Sequence, residues 1–173
     1  MVLPRLTQMR RSVWSAIDNW PAFEHTFAHK FRLEGRGQLT PTDFVPAEKD
    51  LTCIAIEPGA VETPMVANQI DRIGYSLNVS VWTSWRSVLE GEWIWEEWQK
   101  AIWQQGPPEG GGTFLEHNDH GNTVIHSVSS PATSQVHDVL GEPIMMVWRW
   151  SVTLRHDWNP RTDTAELEKP EAN

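Results

Sequence analysis

Histidine and carboxylate residues cluster in one short stretch of the sequence and could bind a metal ion. The segment 116–126 reads EHNDHGNTVIH and contains His117, Asp119, His120 and His126. Imidazole and carboxylate groups are good ligands for transition metals. Their spacing matches no known metal signature, however, and the intervening Asn, Asp and Gly residues are typical of a turn. We favour a solvated turn and predict no cofactor, and we keep a small metal-dependent enzyme as an alternative hypothesis.

Other catalytic patterns are incomplete. His25 and His29 lie four residues apart, but Thr26 stands where a zinc-hydrolase helix carries Glu. Gly110–Gly112 lacks the lysine of a phosphate-binding loop, and the sequence has no G-x-S-x-G motif. Cys53 is the single cysteine and lies in a short apolar run, so we expect a buried residue and no internal disulfide. The sequence therefore favours a protein that is not an enzyme.

The overall composition is that of one globular domain. The chain has 173 residues, with 14 Lys and Arg against 23 Asp and Glu, which gives 14 − 23 = −9. Such a charge argues against a nucleic-acid reader and against docking on anionic lipid, because both depend on basic residues. The sequence lacks a signal-peptide pattern, and no apolar run reaches the roughly 18 residues of a membrane span. We expect no membrane partner.

Apolar spacing predicts a small set of elements that would position these residues. Helices are expected at 6–20 and 85–103, and strands at 51–56, 71–82, 114–115, 123–129 and 144–155. The stretch around Phe23, Phe27 and Phe31 could be a second helix or a loop that enters a short strand. The order predicts an α+β fold, with an antiparallel or mixed sheet and both helices packed on one face. Residues 1–156 form the predicted domain, and 157–173 a flexible C-terminal tail.

Tryptophan is concentrated in the second predicted helix. Six of the eleven tryptophans lie between residues 80 and 103. On a helical wheel, one wide apolar face collects the following residues: Trp85, Val88, Leu89, Trp95, Ile102 and Trp103. Trp93, Ile94 and Trp98 fall outside that face. A helix that is apolar almost all round must be covered from more than one direction, and one sheet covers one side.

We therefore predict that part of this helix forms an oligomer or partner interface through Trp93, Trp98 and Trp103, with Trp95 turned inward. Trp148 and Trp150 of the last strand are expected in the core. Trp is enriched at interface hot spots because it brings a large contact area and an N–H for the polar rim. The competing interpretation is a crowded core with a few exposed indoles. An aromatic sugar-binding platform is a third, less favoured possibility.

In the order of these segments and in their patterns of apolar and polar residues, the chain resembles the tail terminator proteins of long-tailed bacteriophages. A leading amphipathic helix, a short apolar strand (PAEKDLTCIAIEPG) and a long alternating strand (RIGYSLNVSVW) carry the resemblance. A helix follows directly (SWRSVLEGEWIWEEWQKAIW), and the last core strand is aromatic (MVWRWSVTLRH). The likeness spans most of residues 5–156 and includes no diagnostic motif. The density of Trp and the long loops at 35–50 and 131–143 depart from the family pattern.

The resemblance implies a structural virion protein at the head-proximal end of the tail, assembled in the host cytoplasm. Its expected partners are further copies of itself in a ring, usually hexameric, together with the tail tube protein and the head–tail connector. Genomic DNA would pass through the lumen without specific binding, and the negative charge is compatible with that. A head–tail connector or stopper, and a stand-alone binding module, remain alternative hypotheses.

Overall fold

A computed structural model describes residues 3–32, 51–62, 72–86, 88–104, 113–114, 123–158 and 162–169. Two α-helices and seven strands lie in this part of the chain. They are α1 (Arg5–Asp18), β1 (His29–Phe31), β2 (Cys53–Glu62), β3 (Arg72–Ser84), α2 (Val88–Gln104), β4 (Thr113–Phe114), β5 (Thr123–Val128), β6 (Ala132–His137) and β7 (Pro143–Asp157). A single 3₁₀ turn, Pro21–Phe23, follows α1. The predicted α+β class is confirmed.

One mixed sheet joins the described strands in the order β1–β2–β3–β7–β5–β4. β6 also pairs with β7, so β5 and β6 lie one after the other along the same edge of β7. β1 runs parallel to β2, and every other described pairing is antiparallel. β7, which has a strand on each side, is therefore a central strand of the sheet.

β3 and β7 form the longest pairing and determine which residues face the core. They pair from Arg72 opposite Asp157 to Ser84 opposite Met145. Side chains alternate between the two faces of a strand, so directly opposite residues share a face. One face collects apolar residues of both strands: Tyr75, Leu77, Val79, Val81, Trp148, Trp150, Val152 and Leu154. The predicted dry face of each strand is confirmed.

Both helices cover this dry face, as predicted. α1 contributes Met9, Val13 and Ile17, which recur every four residues, and α2 contributes Ile94 and Trp98 to the same buried cluster. Burying each such large apolar side chain is worth about 1.5–3 kcal/mol relative to leaving it exposed. The apolar face of the two helices is therefore the main source of cohesion between helices and sheet.

α2 approaches β7 closely at one glycine. A Cβ atom built at Gly91 would overlap the buried indole of Trp148. Any larger residue would have to push the helix away from the sheet or displace that indole, because interiors are close-packed. Gly91 therefore allows a large indole to lie directly beneath the helix backbone.

The opposite face of the sheet is polar over much of its area but has a second buried cluster at one end. The buried members of this cluster are Cys53, Ala55, Trp82, Ile144, Met145 and Val147. Phe31 packs against them, with its ring centroid 6.5 Å from that of Trp82. The far face is therefore only partly the wet surface that the alternating pattern predicted.

Several predicted boundaries are wrong. β2 continues past Ile56, its predicted end, to Glu62, and it has a bulge between Pro58 and Val61. The predicted connector 131–143 contains a strand, β6. α2 begins at Val88, after β3 has continued to Ser84. The stretch with Phe23, Phe27 and Phe31 ends in the short strand β1, which was one of the two alternatives.

The described part of the predicted C-terminal tail is folded against the domain. Within residues 162–169, the Asp163 carboxylate accepts hydrogen bonds from the Arg5 guanidinium and the Trp158 indole. The backbone N–H of Ala165, then Trp158 and Arg5, hold the pKa of Asp163 well below its usual value. The prediction of a flexible tail from residue 157 is therefore wrong for this segment, which is fastened to the first turn of α1.

Candidate assembly surfaces

The residues considered for metal binding do not form a site in the part of the structure that is described. His117, Asp119 and His120 lie outside the described residues, and His126 is exposed on β5. Within the described ranges, no group of three or more His, Cys, Asp or Glu side chains is placed to hold a metal ion. His25 lies in the turn after α1 and His29 begins β1, so the two do not share a helix face.

Cys53 is a core residue. Its side chain is buried in the second cluster, and burial raises the pKa of the thiol to about 11. A nucleophilic cysteine needs a lowered pKa and access to substrate, and Cys53 has neither. The expectation of a buried cysteine is confirmed.

The helix α2 has one buried face, and that face is not the wide apolar face of the helical wheel. Its buried residues are Gly91, Ile94, Trp98, Ala101 and Ile102. Of the residues that share the wide face, Ile102 is buried, whereas Val88, Leu89 and Trp103 are exposed. Apolar residues surround the helix, so the sequence alone does not determine which face is buried.

Trp98 belongs to the core and not to a surface. Its side chain is 0% exposed, and its ring meets Trp150 edge-on with the centroids 5.4 Å apart. The prediction that Trp98 forms an interface is therefore wrong. Trp148 and Trp150 are also buried, as expected, and Trp95 is partly buried against the same cluster.

The buried indoles fill space and do not recognise polar groups. Within the described residues, the indole N–H groups of Trp98, Trp148 and Trp150 are buried without hydrogen-bond partners. Each such group costs about 1–3 kcal/mol, which the large apolar contact area must offset. Because these three rings are inaccessible, they cannot take part in a sugar-binding platform.

Trp93 and Trp103 lie on the exposed side of α2, where the interface prediction placed them. Trp93 is 43% exposed and packs edge-on against Phe23, with the centroids 6.1 Å apart. Trp103 is 41% exposed, and its indole N–H donates to Gln99 Oε1 at 3.2 Å. Both rings are held by contacts within the chain while one side of each meets solvent. Their role in an interface stays a prediction.

Leucine and valine extend the exposed apolar surface to the first turn of α2. Leu89 is 77% exposed and Val88 48%. At about 100° per residue, Leu89, Trp93 and Trp103 lie within roughly 80° of one another, on one side of the helix. We call this set of four residues, Val88, Leu89, Trp93 and Trp103, the α2 ridge. Large side chains exposed together on one helix face are typical of a contact surface.

Charged residues lie on the same side of α2 as the ridge. Glu92 and Glu96 are exposed on the same side of the helix. Glu97 accepts hydrogen bonds from Lys100 at 2.6 Å and from the Trp20 indole at 2.8 Å, and these bonds lower the pKa of Glu97. Charged side chains therefore lie among the apolar residues of the ridge and interrupt its apolar surface.

The turn between β6 and β7 exposes a second pair of aliphatic residues. Val139 is fully exposed and Leu140 is 84% exposed. Asp138 Oδ1 accepts the backbone N–H groups of Leu140 and Glu142, each at 2.9 Å, and Gly141 has a φ of 82°. This bonding holds the turn in one conformation. Sequence reasoning missed the pair; the available signal was two adjacent aliphatic residues inside an Asp-to-Gly turn.

No protein-family model matches the chain, and no curated protein matches it. Neither described helix has the length and apolar character needed to cross a membrane.

Proposed function

We propose that this chain is a structural subunit that associates with copies of itself into a ring at the head-proximal end of a phage tail. There the ring would cap the tail tube and join it to the head connector. The observation that carries the proposal is the α2 ridge, because Leu89, Trp93 and Trp103 expose large apolar surface from a helix whose other face is already buried. The tail location comes from the resemblance of the sequence to tail terminators.

The surfaces described above suit a ring better than a closed pair. A ring needs two different surfaces on each subunit, so that the second surface of one copy receives the first surface of the next. The α2 ridge offers one apolar surface, and the turn with Val139 and Leu140 offers another. The formal charge of −9 supports a lumen that DNA can pass without binding, because phosphates are not attracted to an acidic wall.

Mass in solution tests the self-association. We expect the purified chain to form a discrete oligomer of several subunits in sedimentation or light-scattering measurements, with a central hole in negative-stain images. Trp103→Ala is expected to weaken the oligomer at least about tenfold, because hot-spot truncations cost roughly 2 kcal/mol or more. Gln104→Ala, at the neighbouring exposed position, is the matched control and should leave the mass unchanged.

Labelling tests the location. In lysates that contain assembled tails, an antibody against the chain is expected to mark one end of each tube. A chain that stays monomeric at all concentrations, with no label on tails, would contradict the proposal. If rings form but the antibody does not label tails, the chain is a self-assembling protein without a role in the tail.

A further inference from the structure

We propose that the outer edge of β6 pairs in antiparallel fashion with β6 of a second copy of the chain. This contact is isologous, since the same surface of both copies meets across a twofold axis, whereas the contact in a ring is heterologous and joins two different surfaces. The inference therefore goes beyond the proposed ring and does not depend on the α2 ridge.

β6 is an accessible edge strand. It pairs with β7 and with no other strand among those described. The side chains of five of its six residues are exposed: Ala132, Thr133, Ser134, Gln135 and His137. An edge strand carries a row of backbone N–H and C=O groups that another strand can pair with. Native edges usually carry Lys, Pro or a bulge that prevents this. β6 itself has no Lys, Arg, Asp, Glu or Pro, and the register irregularity of its pairing with β7 lies at its end, between Val136 and His137.

The opposite edge of the sheet is protected, which argues against pairing of β6 with it in another copy. β1 has three residues, and its Lys30 makes an ion pair with Asp18 of α1 at 2.8 Å. Beyond β1, the edge of β2 contains Pro58, which lacks an N–H, together with a bulge between Pro58 and Val61. β4, at the other end of the sheet order, has two residues. The strand best matched to the edge of β6 is therefore β6 itself.

Charge also favours a second copy of β6. The chain carries a formal charge of −9, so most surfaces of two copies repel one another. Within Ala132–His137 there is no carboxylate, and Arg149 on the adjoining strand donates to Ser134 Oγ at 2.8 Å. Two β6 edges can therefore approach without placing carboxylates opposite each other, which would be destabilising.

The two faces of the sheet restrict the register of such a pair. Thr133 lies opposite Trp148 and so faces the helices, while Ser134 lies opposite Val147 and faces away. A twofold axis perpendicular to the sheet keeps the helices of both copies on the same side. Opposite residues must share a face, so a residue on the axis meets its own copy. The centre of β6 places Ser134 or Gln135 on this axis.

A single introduced cysteine tests the register. Directly opposite residues in an antiparallel pair have Cβ atoms about 4.5–5.5 Å apart, close to the range that a disulfide spans. We expect Ser134→Cys or Gln135→Cys to form a disulfide-linked dimer under mild oxidation. Asn78→Cys, exposed on the central strand β3, is the matched control. The native Cys53 is buried and does not compete.

A charge variant tests the contact in solution. Gln135→Lys puts a lysine on the edge of each copy, and we expect it to weaken the β6 dimer at least about tenfold while the melting temperature stays unchanged. Asn78→Lys adds the same charge away from the edge and should leave the dimer intact. Equal crosslinking at positions 134, 135 and 78, or a dimer unaffected by Gln135→Lys, would overturn the inference.

The outcomes separate this inference from the proposed function. An oligomer that Trp103→Ala weakens, without specific crosslinks at 134 or 135, would refute β6 pairing and leave the ring proposal standing. A crosslinked dimer that Trp103→Ala does not affect, with no ring in images, would support β6 pairing and contradict the ring.

Discussion

Replacing Trp98 with alanine tests whether the tryptophans of α2 have two separate roles. Trp98 is fully buried and meets Trp150 edge-on at 5.4 Å. Truncating a buried Trp to Ala costs about 3–5 kcal/mol, and the lost aromatic pair accounts for roughly 0.5–1.5 kcal/mol of that. The indole N–H of Trp98 has no partner among the described residues, so its removal relieves a desolvation cost. We therefore expect the free energy of unfolding to fall by about 3 kcal/mol, near the lower end of that range.

Urea unfolding, followed by far-ultraviolet circular dichroism, measures this loss without relying on the fluorescence of the other indoles. The urea concentration at the unfolding midpoint should fall, while the slope of the unfolding free energy against urea concentration stays constant. Trp98→Phe, which keeps a ring and removes the unpaired N–H, should cost about 1 kcal/mol. Trp103→Ala on the exposed side should cost no more than that in the monomer.

One result would refute the reasoning about Trp98. If Trp98→Ala kept the urea midpoint of the wild-type chain but changed the mass of the oligomer, Trp98 would lie at an interface, as the sequence pattern predicted. The buried face of α2 would then have been assigned to the wrong side of the helix.

Three further experiments test other parts of the structure. Gly91→Ala should destabilise the chain by about 1–3 kcal/mol in urea unfolding, because overlap with Trp148 outweighs a gain in helix propensity of roughly 1 kcal/mol. Gly74→Ala is the control and should not destabilise the chain, because its added methyl group meets its neighbours at ordinary distances. Asp163 has a lowered pKa, so its stabilising contribution is present above the ordinary Asp pKa of about 3.9 and is lost as the pH falls toward its folded pKa. In thermal melts, the stability difference between wild type and Asp163→Asn should therefore shrink as the pH is lowered below about 4; a constant difference would contradict this. Cys53, with its pKa raised to about 11, should react with a thiol reagent at pH 8 at least about 100-fold more slowly in the native chain than in urea.

Strands with strict alternation were the part of the fold that the sequence predicted best. In β3 and β7, Leu77, Val79, Val152 and Leu154 alternate with polar residues. A half-buried strand with this alternation can bury its apolar residues in only one orientation, so its buried face is predictable. β6 was missed because its sequence, ATSQVH, holds one strongly apolar residue, and its pairing with β7 depends on tertiary context.

The orientation of α2 could not be predicted for the opposite reason. Apolar residues occur on every side of this helix, so the period of 3.6 does not select a buried face. The glycine at position 91 decides the matter, since it is the point at which the backbone can approach Trp148. A single glycine within the Trp-rich helix was the available signal, and it became interpretable only with the position of β7.

The central position of β7 also determines when the chain can fold during its synthesis. β7 pairs with β3, β5 and β6, and it follows all three in the chain. A nascent polypeptide that has left the ribosome only as far as His137 therefore lacks the strand that joins those three. The long apolar face of β3 stays without its principal neighbour until Pro143–Asp157 has been translated, so the sheet is completed late. Chaperones can bind the exposed apolar face of β3 during this interval.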